Sequence, residues 1–87
     1  MNSRSEVRWS PKAVKQLFKL EARAQRQIVD ATTALESMPN CTNVKSLKNH
    51  QYGYQLRVGD YRVLFDWTTV IKIVDIQEVK KRDENTY

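Results

Sequence analysis

Tyr54-Gln55-Leu56-Arg57-Val58-Gly59-Asp60-Tyr61-Arg62-Val63-Leu64-Phe65 alternates apolar and polar residues on either side of a Gly-Asp pair. Alternation of period two marks half-buried strands, and Gly at the first position of a two-residue connection marks a tight hairpin. With Gly59-Asp60 as the turn, Val58 faces Tyr61, Arg57 faces Arg62, Leu56 faces Val63 and Tyr54 faces Phe65. One side of the ribbon then carries Tyr54, Leu56, Val58, Tyr61, Val63 and Phe65, and this side must pack on the rest of the chain. The other carries Gln55, Arg57, Arg62 and Leu64.

Two arginines directly opposite each other repel, at a cost on the order of a few tenths to 1 kcal/mol. A phosphate between them turns that cost into paired, charge-assisted hydrogen bonds. Arg57 and Arg62 are therefore candidates for an anion site. Two plainer readings stand beside it. Exposed arginines are often only solvated, and an even-length loop at Thr68-Thr69 would put Asp75 on the face of Arg62, where the two could pair.

Outward from the hairpin, Val7 and Trp9 alternate with polar neighbours and read as a short first strand. Ser10 offers an N-cap oxygen and Pro11 suits a first helical turn. Val14, Leu17 and Phe18 mark a short helix; Ala24, Ile28, Ala31, Leu35 and Met38 form the stripe of a second, which Pro39 ends. The opposite faces carry Lys12, Lys15, Lys19, Arg23 and Arg26, read as a solvated helix surface. Val44–Leu47 reads as an edge strand bracketed by Lys45 and Lys48. Thr68-Thr69 reads as a turn, Val70–Val79 as a central strand, and Lys80 onward as a charged tail ending at Tyr87. The whole chain, 1–87, reads as one α+β domain. Its N-terminal strand and helical hairpin pack on one face of a mostly antiparallel sheet of three to four strands.

With 87 residues there is room for one small core. The formal net charge of +5 favours polyanionic partners, nucleic acid first. Cys41 is the single cysteine, so an intrachain disulfide is excluded and a reducing compartment is expected. His50 is the single histidine and reads as a solvated loop residue. Metal sites and catalytic triads thus have little to draw on, and neither metal nor other cofactor is expected. Met1-Asn2-Ser3-Arg4 lacks the apolar segment of a signal peptide, and no window approaches the roughly 20 apolar residues of a membrane span. A cytoplasmic protein without a membrane partner is expected.

At the C-terminal end, Lys80-Lys81-Arg82 can converge with the hairpin arginines, though Asp83 and Glu84 partly offset them. A terminal tyrosine is usually frayed and idle. Beside a phosphate clamp, however, the Tyr87 ring could stack on a base and its hydroxyl could share a proton. Tyr54 belongs to the core side, whereas Tyr52 is placed to border a cleft.

Ser10-Pro11-Lys12-Ala13, Val44-Lys45-Ser46-Leu47-Lys48, the hairpin itself and Val79-Lys80-Lys81-Arg82 together resemble the RelE/ParE toxin superfamily, in order and over nearly the whole chain. Leu56-Arg57-Val58-Gly59-Asp60-Tyr61-Arg62 is the most specific part. The resemblance implies an α+β fold with the sheet cradled by the N-terminal helices. It also implies a cognate antitoxin that wraps and neutralises the toxin, with operon DNA contacted only through the toxin–antitoxin complex. RelE-like members enter the ribosomal A site and cleave mRNA there without metal, the ribose 2′-hydroxyl attacking the adjacent phosphate to leave a 2′,3′-cyclic phosphate.

Carried over by position, the resemblance implies catalytic roles for Arg62, on phosphate, for Arg82, after the last strand, and for Tyr87, on the base and in proton transfer. It implies substrate contacts for Arg57 and Lys81, with Lys45 and Lys48 as compensating cations. The strand before the hairpin often supplies two lysines in RelE-like members, and here Gly53-Tyr54-Gln55 stands in that region. The spacing to Tyr87 also differs by about a residue. The alternative branch is a ParE-like toxin that inhibits DNA gyrase without nuclease chemistry, and a basic interaction module without toxicity is a third reading. Chain length and the terminal tyrosine favour the RelE-like branch.

Overall fold

A computed structural model of the chain describes residues 4–81. Strand β1 (Glu6–Trp9) leads into helix α1 (Pro11–Phe18), helix α2 (Ala22–Thr33) and a short 3-10 turn (Ala34–Ser37). Four strands follow: β2 (Val44–Ser46), β3 (Tyr54–Val58), β4 (Tyr61–Thr68) and β5 (Ile73–Lys81). They form one five-stranded sheet in the order β1-β5-β4-β3-β2. The fold is α+β, with three antiparallel pairings and one parallel pairing, β1 with β5.

The sheet therefore has five strands where the sequence suggested three to four. Alternation at Val7 and Trp9 showed that the first segment was a strand. Its place in the sheet depends on β5 returning alongside it, with Val7 opposite Val74 and Trp9 opposite Ile76. Ser10 then caps α1, its Oγ accepting from Ala13 N–H at 3.0 Å, and Pro11 occupies the first turn, where no backbone donor is needed. Beyond β1, α1 lies along the exposed edge of β5. Gln16 Oε1 accepts from the Val79 backbone N–H (2.7 Å), and Ser10 Oγ donates to the Gln77 carbonyl (3.1 Å). Side chains of the helical segment thus satisfy strand groups that a neighbouring strand would otherwise take.

Phe65, Ile28, Leu35, Ile76, Val63 and Val74 are completely buried between the helical layer and the sheet. Tyr54 stacks on Phe65 with ring centroids 5.4 Å apart. The stripe from Ala24 to Met38 continues through α2 into the 3-10 turn, with Ile28, Leu35 and Met38 all in this core. Phe18, in contrast, stays exposed at the end of α1.

The hairpin has the register that its turn implies: Val58 opposite Tyr61, Arg57 opposite Arg62, Leu56 opposite Val63 and Tyr54 opposite Phe65. Gly59 sits at φ +54°, as the first central residue of such a reversal requires.

The next reversal differs from expectation. β4 runs through Thr68, and the chain turns over residues 69–72, with Lys72 at φ +54°. Val70 and Ile71 consequently lie in the turn, 89% and 62% exposed, although an apolar run there reads as strand. A bulge between Leu64 and Phe65 then sets the pairing of β4 with β5. Asp75 comes opposite Asp66 rather than near Arg62, whose partner across the strand is Lys80. The Arg62–Asp75 pairing is thereby ruled out.

Candidate nucleic-acid interface

β3, β4 and β5 carry one residue each of a basic row on the sheet face turned away from the helices: Arg57, Arg62 and Lys80, in direct register. The placement follows from alternation. Val58, Val63 and Val79 point into the core, so their neighbours point out. Arg57 is exposed and Arg62 half-buried. Neither forms an ion pair among the described residues. The Nε of Arg62 is buried without a hydrogen-bond partner among those residues. A buried donor left unmatched costs about 1–3 kcal/mol.

The sequence placed Lys80 in a charged tail, as part of a Lys80-Lys81-Arg82 cluster converging with the hairpin arginines; it is instead a residue of β5. Its membership in the row depends on a register shifted by the β4–β5 bulge, which local alternation does not reveal. Lys81 is opposite Tyr61, and so belongs to the helix-side face rather than to the row. Lys45 is opposite Gln55, which places it on the outer face at the β2 edge, one register row from Arg57. Lys48 is exposed in the connection between β2 and β3. Arg82 and Tyr87 lie outside the described residues.

Next to the basic row stands Glu78, opposite Leu64 and only 6% exposed. Tyr52 Oη donates to its Oε2 at 2.9 Å and Gln16 Nε2 to its Oε1 at 3.4 Å. The ammonium groups of Lys12 and Lys80 lie 3.3 and 3.8 Å from the carboxylate. Burial pushes this carboxyl up, but the hydrogen bonds from Tyr52, Gln16 and Lys12 and the charge of Lys80 outweigh it and hold Glu78 below the usual carboxylate range. The Tyr52 phenol is raised, chiefly because it donates to Glu78. Lys12 is thus an ion-pair partner of the sheet rather than part of a merely solvated helix face.

Elsewhere the chemistry is quiet. His50 is exposed, and its Nδ1 accepts from the Tyr52 N–H (3.0 Å). Burial pushes the Cys41 thiol up, away from thiolate reactivity. Among the described residues no group of three His, Cys, Asp or Glu is placed to hold a metal ion. No helix is long and apolar enough to cross a membrane.

Residues 7–85 match the family described as ParE toxin of type II toxin–antitoxin system, parDE. The chain belongs to this toxin family. Solved structures agree with that membership. The RelBE2 toxin–antitoxin complex of Mycobacterium tuberculosis contains a chain 26% identical, with 91% of this toxin and 99% of that chain covered at a TM-score of 0.78. The archaeal RelE–RelB complex of Pyrococcus horikoshii OT3 is also 26% identical, covering 92% and 97% at 0.76. A chromosomal ParDE system of P. aeruginosa shares the fold at 14% identity, covering 94% and 100% at 0.73. No protein of curated function matches the sequence. Both branches of the superfamily, RelE and ParE, are therefore similar in fold to this toxin.

Proposed function

We propose that this toxin is a RelE-type endoribonuclease that cuts mRNA in the ribosomal A site, arrests translation and is neutralised by a cognate antitoxin in the cytoplasm. The observation that carries the reading is the pairing of Arg57 with Arg62 on an open sheet face, with the Arg62 Nε unmatched among the described residues. Both are guanidinium side chains, whose planar fork matches the geometry of phosphate oxygens. The two RelE relatives at 26% identity, both in toxin–antitoxin complexes, support the branch and the partner.

In the reaction the 2′-oxygen bonds to phosphorus as the bond from phosphorus to the 5′-oxygen breaks. A base takes the 2′-proton, and the departing 5′-oxygen gains one. Arg57 and Arg62 are suited to the extra negative charge on the phosphoryl oxygens. They are poor proton carriers. That task falls to Tyr87, with Arg82 as a further phosphate contact, by likeness to RelE. A phenol titrates at about 10 and shuttles protons at neutral pH only where neighbouring cations lower it. The ribosome supplies in-line geometry, which accounts for so small a site.

Primer extension on mRNA from cells expressing the toxin tests this. Codon-phased breaks that disappear in an Arg62→Ala, Tyr87→Phe double variant are expected. Undiminished cleavage by that variant would overturn the residue assignment, and gyrase-linked DNA breaks without mRNA cleavage would place the toxin in the ParE branch.

A further inference from the structure

Leu64 lies on the face of β4 turned away from the helices, yet it is only 3% exposed. Its register neighbours are Gln55 and Glu78. Hydrogen bonds identify what covers this part of the sheet. Gly53 N–H donates to Asp66 Oδ1 at 2.8 Å, and Tyr52 Oη reaches Glu78 on β5. The Tyr52 side chain therefore reaches across β4 on this face to β5, the strand that carries Lys80. The ring is half-buried, with His50 tilted near it at 6.0 Å between centroids.

Glu78 itself is badly placed to accept a proton. It is almost wholly buried, and its two oxygens already take Tyr52, Gln16, Lys12 and Lys80. Its effect is mechanical. By gripping the phenol tip, it ties the pre-β3 segment to β5 and to α1 and fixes the direction of the ring. A ring held in this way loses little freedom when a flat ligand stacks on it.

We propose that Tyr52, oriented by Glu78, is a stacking platform for the base of a nucleotide whose phosphate lies between Arg57 and Arg62. The inference rests on the RNA reading above and adds a second aromatic face, for a base other than the one that the likeness to RelE gives to Tyr87. Glu78 is a positioning residue. Unpaired nucleotides are commonly held by this combination of aromatic face and cationic groove, and the contact is tolerant of sequence because every base has a π-face.

Programmed ribosomes test it, with 2-aminopurine at each position of the A-site codon in turn and 2′-O-methyl groups blocking cleavage. Stacking on tyrosine quenches 2-aminopurine fluorescence. The parent toxin is expected to quench one position in a way that Tyr87→Leu leaves unchanged. Tyr52→Leu is expected to abolish that quench and weaken binding about 5- to 100-fold. Tyr52→Phe and Glu78→Ala each keep a ring at this position but remove the bond that orients it, and both are expected to reduce the quench without abolishing it. Arg62→Ala weakens binding but preserves the quench at saturation. Should Tyr52→Leu fail to fold, Tyr52→Trp decides: a deeper quench supports the platform, and an unchanged one overturns it. Parent-like quenching by a folded Tyr52→Leu protein, with binding still impaired by Arg62→Ala, overturns the platform and leaves the RNA reading standing. A parent toxin that does not engage the ribosome overturns both.

Discussion

The basic row and the Glu78 cluster occupy adjacent register rows of one sheet face, and they are built on opposite terms. In the row, Arg57 and Arg62 face each other without an ion pair among the described residues, and the Arg62 Nε has no acceptor there. In the cluster, a single buried carboxylate takes donors from α1, from β5 and from the segment before β3. Charges satisfied internally hold a scaffold together. Charges left facing one another cost stability, and that cost is recovered when a ligand supplies the opposite charge. Function is therefore expected to concentrate in the first region and stability in the second, and substitutions can separate the two.

Arg62→Ala gives the largest expected effect. Removing a donor to the developing phosphorane charge is expected to slow mRNA cleavage by about 10²- to 10³-fold. The melting temperature should hold or rise slightly, because a cross-strand repulsion worth at most about 1 kcal/mol disappears. Cleavage rate and thermal melt measured on one preparation check both signs. A large fall in stability would mean that the row is structural after all.

Gly59→Ala comes next. At φ +54° a Cβ is strained, and it would also lie 3.2 Å from the Gln27 amide nitrogen. The flexible glutamine can yield, so the expected loss is the backbone cost of about 1–2 kcal/mol, seen in denaturant unfolding. Because this turn sets the arginines opposite each other, cleavage should weaken together with stability, unlike in Arg62→Ala.

How much of this was legible beforehand follows from the range over which each signal acts. The hairpin register, the Ser10 cap and the α2 stripe are written in residues a few positions apart, and the structure has them as read. The parallel docking of β1 on β5 is not local. Neither is the bulge at Leu64/Phe65 that brings Lys80 beside Arg62 and moves Lys81 to the other face. The Glu78 cluster was invisible for the same reason. Its members come from three separate segments, and Lys12 in isolation reads as one more solvated lysine.

Glu78→Gln sharpens the contrast from the scaffold side. The lysines it would release are half exposed or more, so the expected loss at neutral pH is about 1 kcal/mol. Glu78 titrates below the ordinary carboxylate range when folded. Its stabilisation is therefore present above that range and lost as pH falls through the lowered value. Urea unfolding across pH should show the gap between parent and variant closing in acid. Spectrophotometric titration should also bring the raised Tyr52 phenol back toward its ordinary value in the variant.

Smallest of all is Lys81→Ala. Lys81 lies on the helix-side face, so cleavage should stay within about twofold of the parent, whereas Lys80→Ala, in the row, should slow it more. Equal effects of the two would break the assignment of faces.

The most direct measurement is the NMR signal of the Arg62 side-chain Nε–H during titration with a 2′-O-methylated trinucleotide. A selective shift of Arg62 and Arg57, with Arg8, Arg23 and Arg26 unmoved, is the expected result. An Arg62 signal that stays still, or a small uniform drift of every arginine, would contradict a phosphate site on this sheet face.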